Sequence, residues 1–523
     1  MRKHLLWLVP VCLSAVVVVA LLLSLRGRPV TVGQWEEAGS SARMRPDYSG
    51  IVIPHNIAPL NFVIDEPGSA YVVRIRSARG EGIEISGRSA KIVIPPEPWK
   101  RLLAANRGEE LRLEVFARAA DGQWRKFETV ANSVAREPID SHLAYRKIKP
   151  LYNYWGPVGI YQRNIETYDE TQLFFNEDVD GTQRGCANCH TFNRNRADVM
   201  ILHVRGPGGG MLLLRDGELT KIDTRTAYNP APAAFASWHP SGRVLAFSVN
   251  KVRQAFHSAR PEVRDAFDLN SDMAIYLLDS KSLTSTAAIR RPDHLETFPA
   301  WSADGEYLYF CRAPKLWTDD TLLPPERYRD VRYDLVRIHY DLDTGRWGQL
   351  ETVLSAEETG KSITQPRISP DGRFAIVCMS GYSMQPSFQT DADLYLVDLQ
   401  TRRYQRMACN SPLSESWHAW SSNGRWIVFS SKREDGQFIR AYFSHIDEDG
   451  TASKPFVLPQ KDPAFYDSCI MLYQLPELIT AAIALSEQDV LRVVRSGGLL
   501  QKSDAVTGAS PVAGAGPQAP PMH

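Results

Sequence analysis

The feature that most constrains this chain is a strand–turn–strand unit that recurs every 50 to 70 residues. Ala236-Ser-Trp-His-Pro-Ser-Gly-Arg-Val-Leu-Ala-Phe-Ser248 lines up with Ala300-Trp-Ser-Ala-Asp-Gly-Glu-Tyr-Leu-Tyr-Phe310. Pro366-Arg-Ile-Ser-Pro-Asp-Gly-Arg-Phe-Ala-Ile-Val377 lines up in turn with Ala419-Trp-Ser-Ser-Asn-Gly-Arg-Trp-Ile-Val-Phe-Ser430. Each copy is a strand, a Ser-x-(Asp/Ser/Asn)-Gly turn and a second, alternating strand. The turn needs a small polar residue that tolerates left-handed backbone, followed by glycine. Further strands lie between the copies, at residues 274–279 and 393–398. Four strands per copy at this period indicate a propeller blade rather than a solenoid turn.

These repeats resemble the propeller of TolB-like periplasmic proteins over about residues 185–460. The resemblance implies the fold. It implies no activity, because such blades serve binding proteins, peptidases and lyases alike. Five blades can be counted. A sixth would come either from residues 466–495 or from residues 145–180 closing the ring.

One stretch names a chemistry. Cys186-Ala-Asn-Cys189-His190 is the pattern by which c-type haem is held: two thiols add to the porphyrin vinyl groups and the next imidazole becomes an axial iron ligand. A zinc half-site would want a second Cys/His pair at similar spacing, and the sequence has none. A thioredoxin-like redox pair would want a βαβ setting, also missing. A plain disulfide is the remaining alternative. The cofactor expected is therefore covalent haem c on Cys186, Cys189 and His190, with Met200 the first candidate for the sixth iron ligand and His203 and His239 behind it. Met200 also reads as a core residue of its strand, His239 and His418 as turn histidines. Arg184 and Arg205 are candidates for the haem propionates, since guanidinium forks suit carboxylates. Laid on the repeat, the motif opens the first blade.

The remainder is organised around these two features. Residues 5–25 carry no charge and follow a basic start, a length that crosses a bilayer core. Residues 1–28 are read as a transmembrane anchor, with a cleaved signal as the alternative. Covalent haem attachment belongs outside the cytoplasm, so the bulk of the chain is expected to be periplasmic on the inner membrane. Residues 46–136 hold six or seven short strands, an immunoglobulin- or fibronectin-like sandwich with Trp99 and Trp124 expected in its core. Residues 137–184 read as an aromatic-rich connector, 185–495 as the propeller and 505–523 as a disordered Gly/Ala/Pro/Ser-rich tail.

The fold class is thus all-β: anchor, sandwich, then a propeller of five or six blades. With 60 basic and 60 acidic residues, nothing global favours nucleic acid as a partner. There is no Gly-x-Ser-x-Gly, so no hydrolase site accompanies the propeller. Asp268, Asp272, Asp391 and Asp393 lack fixed calcium-loop spacing. The cysteines are too sparse for a disulfide framework, though Cys409 and Cys469 could pair. No catalytic constellation emerges. The function expected is a membrane-anchored c-type cytochrome on a propeller, passing or sensing electrons with a redox or envelope protein partner. The alternative is a haem-free scaffold that binds a protein or polysaccharide.

Overall fold

In the computed structural model, the described residues are 30–150, 156–181, 185–206, 208–225, 232–257, 264–382, 384–496, 500–502 and 506–507. The expected anchor lies outside them, as does the tail apart from Val506–Thr507. Among the described residues no helix is long and apolar enough to cross a membrane.

The N-terminal part is a two-sheet sandwich. Its larger sheet runs Ile83–Gly87, Ala70–Ser77, Glu110–Arg118, then Trp124–Glu128 and Val130–Val134 along one edge. Trp35–Ser41 and Val52–Ile53 add parallel to that edge. Met44–Arg45, Phe62–Ile64 and Lys91–Ile92 form the smaller sheet. Period-two alternation lets each sheet bury one face: Val73, Ile75, Leu113 and Val115 meet Phe62, Ile64 and Ile92. The helix Pro96–Ala105, started by prolines in its first turn, drives Trp99 into this core, and the indole N–H donates to the Ile57 carbonyl at 3.0 Å. Trp124 is elsewhere. It packs on the outer face of the large sheet with Ala70, Val72 and Phe116, because its strand position points away from the smaller sheet.

Six sheets form the rest, four of four strands and two of five, each innermost strand packed on the next and the last returning to the first. The innermost strands are Cys186–Phe192, Ala234–Trp238, His294–Trp301, Ser362–Ile368, Glu415–Trp420 and Leu472–Ile479. This is a six-bladed β-propeller. The repeated turn joins the first two strands of the second to fifth blades, and its chemistry is visible in the third blade. There Ser302 Oγ accepts the Tyr307 N–H at 2.9 Å, Asp304 accepts the Glu306 N–H at 3.0 Å, and Gly305 takes φ 85°. Ser369 and Ser421 repeat the bond at 2.9 and 3.0 Å.

Three expectations are corrected here. Residues 137–184 are largely not a connector: His142–Ile148, Val158–Asn164 and Glu170–Phe175 are the outer three strands of the closing blade, whose innermost strand is Leu472–Ile479 from the far end of the propeller. The sixth blade therefore draws on both segments offered as alternatives. The propeller strands start at His142 rather than at 185 and return to Ile479, and Glu487–Arg495 is an α-helix. A Ser486/Asp489 capping box starts that helix, and Val490, Val493 and Val494 bury it against the closing and first blades. Finally, the expected tail contributes Val506–Thr507 as a fifth strand on the second blade, as Leu500–Lys502 does on the first.

Candidate functional site

The six innermost strands share one irregularity that builds the bore. Each carries a register shift beside a single non-glycine residue at positive φ: Cys189 (55°), Phe235 (41°), Phe298 (52°), Gln365 (54°), Trp417 (50°) and Leu475 (52°). A left-handed residue costs about 1–2 kcal/mol, and a bulge re-aims its side chain. Here it turns six side chains to the axis. Phe235, Phe298 and Trp417 meet there, with ring centroids 4.4, 5.9 and 6.1 Å apart, and fill the bore. Beside them a cavity of about 30 Å³ is left against Cys189, His190 and His418.

The motif thus lies on the innermost strand of the first blade, and Cys189 is its left-handed residue. Cys186 is half-buried and its sulfur accepts from Asn188 Nδ2 at 3.3 Å; Cys189 is buried. Both thiols are free, as are the other described cysteines, Cys409 and Cys469 included. Burial pushes the Cys189 thiol up, while the guanidinium of Arg205 pulls it back. Arg146, on the second strand of the closing blade, is half-buried beside Cys186 and Cys189, and burial pulls its pKa below the ordinary arginine value. Its Nη2 donates to Gln474, while its Nε and that of Arg205 are buried without partners.

His190 and His203 are exceptional. Both ring nitrogens of each are buried and make no hydrogen bond of good geometry, although the backbone of Leu475 and Ala144 lies against His190 and that of Cys189 against His203. Burial, with Arg146 and Arg367 adding to it, pushes His190 down to about 3; burial and Arg205 do the same to His203. His418 occupies the same place in its blade as His190 and is also pushed down to about 3 by burial, yet its Nε2 is bonded to the Ile376 carbonyl at 2.8 Å. A histidine at this position can therefore make a well-formed bond to the sheet. His190 does not.

The structure separates the other candidates. His203 pairs with Asn188 and Met211 and shares the sheet face that looks toward the second blade. His190 lies on the other face, 5.9 Å from Phe192 and beside Ala144 of the closing blade. Met200 shares the His190 face, packed with Phe192, Leu202 and Leu212 in the seam against the closing blade, where it fills core. His239 is a turn residue, its Nδ1 bonded to Ser241 at 2.7 Å. Arg184 lies outside the described residues. Asp268, Asp272, Asp391 and Asp393 are answered by Asn250, Arg290, Lys361 and Arg406. Among the described residues no group of three or more His, Cys, Asp or Glu is placed to hold a metal ion.

Tested against a haem, the donors fit. Two thiols, a neutral imidazole without a well-formed hydrogen bond and two half-buried arginines, each with an unused Nε–H, are the chemistry that haem attachment and propionate pairing require. The space does not: the cavity of about 30 Å³ beside them does not admit a macrocycle between the blades.

A second layer of the bore lies two residues further along each strand: Thr191, Ser237, Ala300, Arg367, Ala419 and Glu477. Four are small, and Arg367 Nη2 reaches Glu477 Oε1 at 3.1 Å in the room they leave. Below this pair the bore widens into a bowl of about 410 Å³ walled by Phe192, Trp238, Trp301, Ile368 and Trp420. These residues were not singled out in the sequence. The available signal was Arg367, which breaks the Ala/Ser pattern of the aligned repeats.

No family profile and no curated protein matches the chain. Solved structures similar to parts of it include a chain of the nidogen/laminin complex, 8% identical over 65% of this chain and 99% of that one, with TM-score 0.36. Another is the Swd1 β-propeller domain of Myceliophteria thermophila, 13% identical over 53% of this chain and 88% of that one, with TM-score 0.27. A third is the Dos1 propeller, 13% identical over 44% and 63%, with TM-score 0.26. Scores this low carry no argument. The class, a six-bladed propeller joined to a β-sandwich, rests on the strand order.

Proposed function

We propose that this chain is a TolB-like propeller protein that carries covalent haem c on its first blade and passes or senses electrons outside the cytoplasm, tethered to the inner membrane by residues 1–28. The observation that carries the reading is that Cys186, Cys189 and His190 come together on the innermost strand of the first blade, with His190 buried, neutral and without a well-formed hydrogen bond. Cys186 and Cys189 would hold the thioethers and His190 the iron, with Arg146 and Arg205 near enough to the thiols to meet propionates. Bound haem supplies a one-electron couple. Met200 lies on the His190 face of the sheet and His203 on the opposite one, so Met200 is retained as the sixth ligand ahead of His203.

A second reading is favoured by the plug of Phe235, Phe298 and Trp417 and the small cavity beneath it. In it the chain is a haem-free scaffold that binds an envelope partner. The two are told apart by a peroxidase-type haem stain on a denaturing gel, using protein made in a host that matures c-type cytochromes. A stained band that disappears in Cys186→Ala/Cys189→Ala supports the first reading. Well-folded protein with no stain and no Soret band leaves the scaffold.

A further inference from the structure

The bowl at the turn end of the bore has no role in either reading, and it is separated from the cysteines by the Arg367–Glu477 layer and the aromatic plug. Its volume of about 410 Å³ falls in the range of small-molecule sites, about 300–1,000 Å³. Three charged residues line it: Arg194, Arg367 and Glu477, two cations against one anion. Arg194 is exposed at the rim, where φ 49° turns the chain. Arg367 is the deeper group. Of the N–H donors of its fork, only Nη2 is engaged, in a single contact with Glu477, while its side chain keeps 30% of its surface open. Glu477 is the opposite case. Burial pushes its carboxyl up, one oxygen faces Arg367 and the other accepts from Thr191 Oγ1 at 3.4 Å. The wall's indoles add no open donor: Trp238 and Trp420 donate to the backbone of Thr191 and Arg367, and the Trp301 N–H has no partner and no exposed surface.

We infer that this bowl is a binding site for a compact ligand bearing a carboxylate, held by the free edge of the Arg367 guanidinium with Arg194 at the rim. The donor surplus selects an acceptor-rich molecule, and a guanidinium fork meets a carboxylate in two parallel hydrogen bonds. Six innermost strands converge here, so the site is held by the rigid part of the propeller. The small residue Ala419 lines the space that Arg367 crosses. Two sources share this chemistry, a sugar acid and the C-terminal carboxylate of a peptide.

The test is thermal unfolding of the full-length chain with D-glucuronate and with tri-alanine, each against its neutral counterpart, D-glucose and tri-alanine amide. A carboxylate probe at ten times its Kd is expected to raise the midpoint by about 2 °C, its neutral counterpart by nothing. Which probe acts identifies the source. Arg367→Gln alone leaves Glu477 buried without its partner, so the variant of choice is Arg367→Gln/Glu477→Gln, with Arg367→Lys as a second that keeps the charge and loses the fork. Loss of the shift in the double variant, and weakening in Arg367→Lys, support the site. The inference is overturned if neither carboxylate shifts the midpoint, if the neutral counterparts shift it equally, or if the double variant responds as the parent does.

Discussion

Glu296 gives the sharpest prediction. It lies on the innermost strand of the third blade with no exposed surface. Its Oε1 has no hydrogen bond, its Oε2 accepts weakly from the Arg291 N–H at 3.4 Å, and Arg312 Nε stands 3.6 Å away. Burial is the largest influence and Asp272 adds to it, outweighing Arg312, so the carboxyl is pushed from 4.5 up to about 8. At about 1.4 kcal/mol per unit this amounts to roughly 4–5 kcal/mol. The folded state binds the proton more tightly than the unfolded state. Its contribution is therefore fully present below about pH 4.5 and is lost as pH rises toward about 8. Glu296→Gln keeps the shape of the neutral acid and cannot titrate. Urea midpoints of parent and variant from about pH 5 to about pH 9 are expected to diverge steadily in the variant's favour, by several kcal/mol at the top of the range. Asp268, pushed up to about 7 by burial, titrates in both proteins and cancels. Parallel profiles, or a variant that falls behind at high pH, would show Glu296 ionised and paired with Arg312, and the reasoning would be wrong.

Other perturbations test the frame. Leu478→Ala, a fully buried residue of the strand that closes the ring, should cost about 2–5 kcal/mol and lower the thermal midpoint of the whole propeller. Gly305→Ala puts a Cβ at φ 85° against the His239 ring and should cost about 1–3 kcal/mol by the same measurement, more than alanine at an ordinary turn position. Trp99→Ala should cost about 3–5 kcal/mol in denaturant unfolding, since it empties the sandwich core and leaves the Ile57 carbonyl without its donor.

The repeats were legible because their signals are local. A Ser-x-Asp-Gly turn is fixed by bonds within five residues, and period-two alternation declares which face is buried. Ser302, Ser369 and Ser421 each make the same hydrogen bond to the backbone five residues on. The Cys186, Cys189 and His190 motif was legible for the same reason, as a spacing along the chain. Trp99 was readable as core, but Trp124 was not placed correctly, because alternation says that a face is buried without saying against what.

Only the tertiary structure decided how the ring closes. The closing blade joins His142–Ile148 to Leu472–Ile479, a pairing across more than 300 residues that no local pattern can announce. It likewise decided that the motif faces a bore filled by Phe235, Phe298 and Trp417, each from a different blade. It also decided that Arg367 and Glu477 meet across the axis, and that His190 and His203 fall on opposite faces of one sheet. By itself the sequence determined the blades and the presence of the thiol–imidazole motif, since both depend on neighbours in the chain. Which side chains share the axis depends on the closure of six blades into a ring, and that is set by packing between strands far apart in sequence.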